Sequence, residues 1–409
     1  MQTNLAQFIK DTPEGQEADA ILRKCVHCGF CNATCPTYQL LGDELDGPRG
    51  RIYLIKQVLE GASPSEKTQI HLDRCLTCRA CETTCPSGVQ YARLADIGRA
   101  VVEARVERPL AERLRRSALR RTLAEPRLFA PLLALGQLVS PWLPSTLRAR
   151  VPPRETRSPW APLRHARRML VLDGCVQPAL APNINAAASR VLDRLGISLQ
   201  RVAEAGCCGA IDFHLNAADT ARQRIRNLID AWWPHLEGAE AIVFTASGCG
   251  VMLRDYAHVL VDDPRYRDKA RRIAESCRDL SEVLLAEREK LRAACEPAAA
   301  RRVAFHSPCT LQHGLRVRGA IETLLSDLGF ELAAVPDAHL CCGSAGTYSI
   351  LQPELSQRLK DAKQAALNSG QPDEILTANI GCLMHLRAGM QTPLRHWIEA
   401  VAERISTGT

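Results

Sequence analysis

Cys25-Val26-His27-Cys28-Gly29-Phe30-Cys31-Asn32-Ala33-Thr34-Cys35-Pro36 returns fifty positions later as Cys75-Leu76-Thr77-Cys78-Arg79-Ala80-Cys81-Glu82-Thr83-Thr84-Cys85-Pro86. Each stretch is a Cys-x2-Cys-x2-Cys-x3-Cys-Pro run. An iron–sulfur cubane offers four iron corners, each wanting one thiolate. Three cysteines two residues apart wrap one face in a tight loop, and the fourth, before Pro, lies where the chain leaves it. In two-cluster ferredoxins that fourth Cys ligates the other cluster. The expected grouping is therefore Cys25, Cys28, Cys31 and Cys85 on one [4Fe–4S] cluster, and Cys75, Cys78, Cys81 and Cys35 on a second. The competing reading is two zinc sites, but zinc ligands usually arrive as two separated pairs rather than four in eleven residues.

Around the runs, residues 1–102 read as one helical domain. Gly47-Pro48-Arg49-Gly50-Arg51 looks turn-like, and after it Ile52, Ile55, Val58 and Leu59 fall on one helical face. Ser63-Pro64 closes that helix, and a second should lead into Cys75. Residues 103–167 form a basic, Pro-rich linker or docking segment. From Arg99 to Arg168 there are sixteen Arg against five Glu, a net of +11 in a chain whose total is +7. The excess is local, which points to a docking surface rather than a general nucleic-acid binder, and aromatics are too scarce for base-stacking platforms. Leu128 to Leu147 carries no charge and approaches the length of a membrane span. Pro131, Pro141 and Pro144 are expected to break it, so a spanning helix is rejected and a peripheral contact with a partner or an anionic membrane is left open.

Residues 168–298 and 299–409 read as a duplication. Met169-Leu170-Val171-Leu172 runs into Cys175, Cys207-Cys208-Gly209 follows, and Ala241-Ile242-Val243-Phe244 leads to Cys249. In the second copy Val303-Ala304-Phe305 runs into Cys309, Cys341-Cys342-Gly343 follows at the same spacing, and Ile375-Leu376-Thr377 leads to Cys382. Leu195-Gly196 and Leu328-Gly329 each precede a short strand. The order strand, helix, strand, CCG turn, helix, strand argues for α/β layers. In open sheets of that kind ligands gather at the carboxyl ends of the strands, where these cysteines fall. The expected whole is thus an α+β multidomain chain, with an N-terminal all-helical two-cluster ferredoxin domain followed by a duplicated α/β CCG domain with mostly parallel sheets.

Cys175, Cys207, Cys208 and Cys249, and likewise Cys309, Cys341, Cys342 and Cys382, form two candidate metal or redox sets. The plainer alternative is buried thiols in Gly turns. Cys277 and Cys295 lie outside the pattern and read as structural. His306, His313 and His385 flank the second set as ligands, proton carriers or ordinary packed histidines. No apolar leader precedes Asp11, so the eighteen cysteines are expected in a reducing, cytoplasmic setting, where clustered Cys reads as metal or redox chemistry. No Gly-x-Gly-x-x-Gly follows a strand, so neither flavin nor NAD is expected on this chain.

The two ferredoxin runs followed by two CCG repeats resemble the iron–sulfur subunits of flavin-linked hydroxyacid dehydrogenases. Lys24-Cys-Val-His-Cys-Gly-Phe-Cys31, Cys35-Pro-Thr-Tyr38, Gly42-Asp-Glu-Leu-Asp-Gly-Pro-Arg-Gly-Arg-Ile-Tyr53, Gly206-Cys-Cys-Gly-Ala210, Cys341-Cys-Gly-Ser-Ala-Gly-Thr-Tyr348 and Thr377-Ala-Asn-Ile-Gly-Cys-Leu-Met-His385 are similar to the glycolate oxidase iron–sulfur subunit family. The resemblance implies an electron-transfer role, with no catalytic residue of its own. Partner subunits would carry the flavin that oxidises glycolate to glyoxylate. Electrons would pass to quinone or a similar non-oxygen acceptor. The nearest rivals are the iron–sulfur subunits of anaerobic glycerol-3-phosphate or lactate dehydrogenase complexes, and a heterodisulfide-reductase-like enzyme with catalytic CCG sites. CCG repeats of the latter end in Cys-x-x-Cys. Here Met252 and His385 stand at the last position, so a five-thiolate site is incomplete.

Overall fold

In a computed structural model the protein is described at residues 1–144, 148, 151–296 and 299–405, and it divides into two compact units. The first comprises Met1–Arg116 with Gln312–Gly314 and His339–Lys363, and the second the remainder.

The first unit is helical around both cysteine runs. Helices Pro13–Lys24, Pro48–Leu59, Glu66–Asp73 and Tyr91–Glu103 enclose a core in which Leu22, Ile55, Leu59 and Leu94 are fully buried. The expected stripe Ile52, Ile55, Val58 and Leu59 faces inward. One expectation is corrected: Gly47–Arg51 is not a free turn, because Pro48 opens the helix itself. Proline's preset φ suits that first helical position. Gly50 serves close approach rather than turning, since a Cβ there would lie 2.1 Å from the Glu44 carbonyl oxygen. Gly98 does the same between two helices, its absent Cβ falling 2.5 Å from Ile55 Cγ1.

The second unit holds two four-stranded sheets, each parallel throughout. Strands β1 (Arg167–Val171), β2 (Ile197–Gln200), β3 (Ile242–Phe244) and β4 (Cys277–Asp279) lie in the order β2-β1-β3-β4. Strands β5 (Arg301–His306), β6 (Phe330–Leu332), β7 (Glu374–Thr377) and β8 (Leu394–His396) repeat it as β6-β5-β7-β8. Leu170 registers with Ile242 in the first sheet and Ile375 with Leu394 in the second. Central strands read as continuous apolar runs because helices cover both faces. Cys277 is fully buried on β4, and Cys295 forms an isolated bridge with Ile405.

The segment rich in Arg and Pro contains two helices, Leu110–Leu123 and Pro126–Val139. Pro131 does not break the second of these. It lies in the second turn, where it deletes one backbone hydrogen bond, and the helix ends instead at Ser140-Pro141. Positions 145–147 of the uncharged stretch lie outside the described residues. Among the described residues, no helix is long and apolar enough to cross a membrane. Part of the positive charge is spent internally. Arg108, 4% exposed at its side chain, meets Asp73, Glu103 and Glu112, and Arg116 meets Glu112 and Asp73.

Candidate metal centres

Both ferredoxin loops are wound alike. Cys25 and Cys75 each follow a helix, and positive φ recurs two and four residues later: 59° at His27 and 85° at Gly29, then 54° at Thr77 and 59° at Arg79. These left-handed steps turn backbone and thiols toward one point, and only one of the four uses glycine. Cys31 lies in the short helix Phe30–Thr34 and Cys81 in Ala80–Thr84, and Cys35 and Cys85 cap them. Thr34 and Thr84, immediately before the fourth cysteines, hydrogen-bond to each other through their hydroxyls at 3.0 Å.

Around that crossing each fourth cysteine lies near the other run. The Cys31 thiol is pushed up to about 11 by desolvation and by Cys25, Cys85 and Cys28. The Cys81 thiol is pushed well up by burial and then by Cys78, Cys75 and Cys35. The structure thus brings Cys85 beside the first run and Cys35 beside the second. Cys25, Cys28, Cys31 and Cys85, together with Cys81, line a cavity of about 30 Å³. Four soft thiolates converging on one small space, each repelling the next, are a donor set that fits an iron–sulfur cluster, whose irons neutralise them.

Two buried arginines, neither singled out by the cysteine pattern, serve the second set. Arg51, 1% exposed, donates to the His71 carbonyl at 2.7 Å and to Thr37 Oγ1 at 3.1 Å, and its Nη1 lies 4.0 Å from Cys35 Sγ. It also pairs with Oδ1 of the fully buried Asp46, which His71 meets at the same oxygen and Arg74 at Oδ2. Arg99 donates to the carbonyls of Leu72 and Cys75 and to Thr77 Oγ1. Burial opposes ionisation of Cys75, yet Arg51 and Arg99 hold its thiol below the ordinary range. The signal for Arg51 was present: positions 51, 55 and 58 share one helical face, so a cation stands on an otherwise apolar stripe.

In the sheet unit Cys175 follows β1, Cys207-Cys208 sit in a turn closed by Gly209 (φ 88°), and Cys249 lies in the first turn of helix Ser247–Val259. These four thiols touch in series. Cys207 is held well below the ordinary range, first by donation from the Cys175 and Cys208 thiols, then by the Gly209 N–H and nearby Arg224. Cys175 and Cys208 are pushed up correspondingly. Arg224 is itself anchored on Asp212 at 2.7 Å, and Tyr256 donates to the Cys208 carbonyl at 2.8 Å.

The second CCG set is divided between the two units: Cys309 and Cys382 belong to the sheets, and Cys341 and Cys342 to the helical unit. Gly343 repeats the turn at φ 88°, where a Cβ would meet the Ser356 carbonyl oxygen at 2.7 Å. In the sheet unit the two copies touch near their cysteines. Ser247 Oγ lies 2.7 Å from Thr310 Oγ1. Asn379 accepts from the Gly248 N–H at 3.3 Å and donates to Cys382 Sγ at 3.5 Å. His306 is buried on β5 and His385 half-buried on helix Ile380–Arg387. The His313 ring bonds Thr83 Oγ1 at 2.9 Å and the His339 carbonyl at 3.0 Å, a packed structural role.

Comparison with known proteins adds the following. Residues 21–89 match the 4Fe-4S dicluster domain family, and residues 169–254 and 303–387 the Cysteine-rich domain family. The chain is 56% identical over 408 residues, 99% of each chain, to the glycolate oxidase iron-sulfur subunit of Escherichia coli (strain K12). It is 30% identical to the probable glycolate oxidase iron-sulfur subunit of Bacillus subtilis (strain 168), over 90% of this chain and 89% of that one. Lactate utilization protein A of Anoxybacillus flavithermus is 26% identical over 56% of this chain and 97% of its own.

Proposed function

The chain belongs to the family of glycolate oxidase iron–sulfur subunits, and on that premise we propose that it relays electrons from a flavin on partner subunits to a non-oxygen acceptor of the quinone class, as glycolate is oxidised to glyoxylate. The observation that carries the reading is the pair of four-thiol sets, crossed at Thr34–Thr84 inside one small helical unit. Cys25, Cys28, Cys31 and Cys85 would hold one [4Fe–4S] cluster, and Cys75, Cys78, Cys81 and Cys35 the other. When bound, such clusters supply one-electron redox steps at spacings a protein can fix. Glycolate oxidation releases two electrons and two protons. Both electrons leave the flavin singly through this chain, while the protons leave from the partner.

The chain's own residues set the conditions for that transfer. The two loops fix the thiols, Arg51 and Arg99 offset negative charge at the second set, and Cys35 and Cys81 of that set are buried from water. Cys175, Cys207, Cys208 and Cys249 form a candidate additional metal or redox site, with the Cys207 thiol held below the ordinary range by its neighbours and by Arg224. The helix Pro126–Val139 supports a peripheral contact with the cytoplasmic face of the cell membrane. Leu128, Leu132, Leu135 and Leu138 are each about half exposed or more, and Arg127 is the only charge in the helix.

The test is metal analysis of the anaerobically purified complex. About eight irons per chain are expected from the two runs alone, and about four more, or a zinc, if the Cys175 set is loaded. Cys28→Ser should lower the iron content and leave the flavin subunit able to be reduced by glycolate. Two zincs without iron, or glycolate turnover by this chain free of flavoprotein, would overturn the relay.

A further inference from the structure

The two ferredoxin loops share a winding but not a setting. Of all eighteen cysteines, Cys28 alone is exposed. Beside it Val26 is 69% and Phe30 63% exposed, whereas their counterparts Leu76 and Ala80 are 6% and 1%. The second loop is closed within its own unit. Arg99 is bound along it, Tyr348 donates to the Arg74 carbonyl at 3.1 Å, and His313 holds Thr83. The first loop carries instead an open apolar centre. His27 meets Tyr53 edge-on at 6.2 Å, and Tyr53, 46% exposed, extends the patch onto helix Pro48–Leu59.

This patch has the anatomy of a protein interface: an apolar, aromatic centre inside a polar rim. Both rim arginines are paired, Arg49 with Glu44 at 2.6 Å and Arg23 with Asp19 at 2.6 Å, which leaves Lys24 as the one exposed cation among the described residues 19–31 outside an ion pair. Asn32 braces the first of these pairs, donating to Glu44 and accepting from the Arg49 N–H. Such a rim gives an anionic bilayer little to hold. A small diffusible acceptor would need a cleft, and the cavity at this loop is only about 30 Å³ and is lined by Cys25, Cys28, Cys31, Cys81 and Cys85.

We propose that the Cys25–Cys31 loop, with Val26, Phe30 and Tyr53, is the face on which the flavin-binding partner subunit docks, bringing its flavin closest to this chain at Cys28. The inference rests on the relay reading above and adds which of the two sets meets the partner. Burying Val26 and Phe30 supplies the apolar centre of a small interface, of the size typical of electron-transfer contacts.

The test uses the complex assembled with purified flavin-binding subunit. In the double variant Val26→Glu/Phe30→Glu, iron content should stay at the wild-type value. Affinity for the flavin-binding subunit should fall at least tenfold, and glycolate should still bleach the flavin while bleaching the iron–sulfur absorbance much more slowly. Val261→Glu, at an equally exposed site in the sheet unit, should change neither. Should the double variant lose iron, Tyr53→Glu, which lies outside the cysteine run and removes only the ring contact with His27, decides by the same affinity measurement. A variant that binds and is reduced like wild type overturns the docking face alone. A wild-type chain that captures no flavin-binding subunit overturns the relay reading and this surface with it.

Discussion

Replacing Arg51 by Met isolates the contribution of one buried cation to electron transfer. Arg51 Nη1 lies 4.0 Å from Cys35 Sγ. At an effective dielectric constant of about 20, unit charges at that separation interact by about 4 kcal/mol. An added electron is shared among irons and sulfurs beyond Cys35, which roughly halves the figure to about 2 kcal/mol. For a one-electron couple that is roughly 90 mV. Without the cation the reduced state is less favoured, so the potential of the set containing Cys35, Cys75, Cys78 and Cys81 should fall by about that amount. The set containing Cys85 should shift far less. Arg51→Lys keeps the charge but not the fork to His71, Thr37 and Asp46, so its shift should be under half as large. Asp46 retains Arg74 and His71 in either variant, which places the stability loss at the low end of the ~3–5 kcal/mol for breaking a buried pair. The assay is a potentiometric titration of the anaerobic protein followed by electron paramagnetic resonance. Full iron with both potentials within about 20 mV of wild type, or equal shifts in both sets, would refute the reasoning.

Three further outcomes are expected. Gly98→Ala should destabilise the helical unit by about 1–3 kcal/mol in chemical denaturation, and Ile55→Ala in the same chain should recover part of that loss, since the two sites collide. His396, fully buried, is pushed down to about 4 by burial, against the opposing bond from its Nε2–H to the Thr245 carbonyl. Its contribution is complete above pH 6.5 and is lost as pH falls to 4, by about 3 kcal/mol, while Asp279, pushed up to about 6 by burial, works in the opposite sense over nearly the same window. The wild-type-minus-His396→Asn difference in Tm should therefore shrink or reverse between pH 7 and pH 5, and an unchanged difference would exclude the buried neutral imidazole. Leu132→Glu/Leu135→Glu should abolish co-sedimentation of the complex with anionic vesicles, since each leucine seated in the interface is worth on the order of 1.5–3 kcal/mol; sedimentation equal to wild type would remove the membrane contact.

The fold class was legible because its signals are of the kinds a sequence states most clearly. Two Cys-x2-Cys-x2-Cys-x3-Cys-Pro runs impose local loops whatever surrounds them, and buried parallel strands read as short apolar runs before Gly turns. The edge strands β4 and β8 escaped that reading: Cys277-Arg278-Asp279 and Leu394-Arg395-His396 are three residues long, and each holds one apolar residue followed by two polar ones, the last of them buried. Gly47–Arg51 looked like a turn because Gly and Pro signal turning and helix initiation alike, and only the contact of Gly50 with Glu44 tells them apart. Pro131 has the signature of a breaker, yet the helix runs through it with one backbone hydrogen bond fewer. Arg51, Arg99 and Asn379 act through partners distant in sequence, so their roles required the fold.

The hydroxyl contact between Thr34 and Thr84 marks where, in the proposed ligand grouping, the two runs would trade their last thiol, and that exchange would constrain how the protein is made. In that grouping neither segment would complete its set with its own four thiols, since the first would wait for Cys85 to be synthesised and the second would need Cys35 delivered back to it. A chain emerging from the ribosome therefore offers three-thiol sites until residue 85 has emerged and the crossing has closed. Cluster delivery and tertiary folding become one event. Half-loaded chains should be short-lived, and iron starvation should deplete the protein as a whole rather than leave a population carrying one centre.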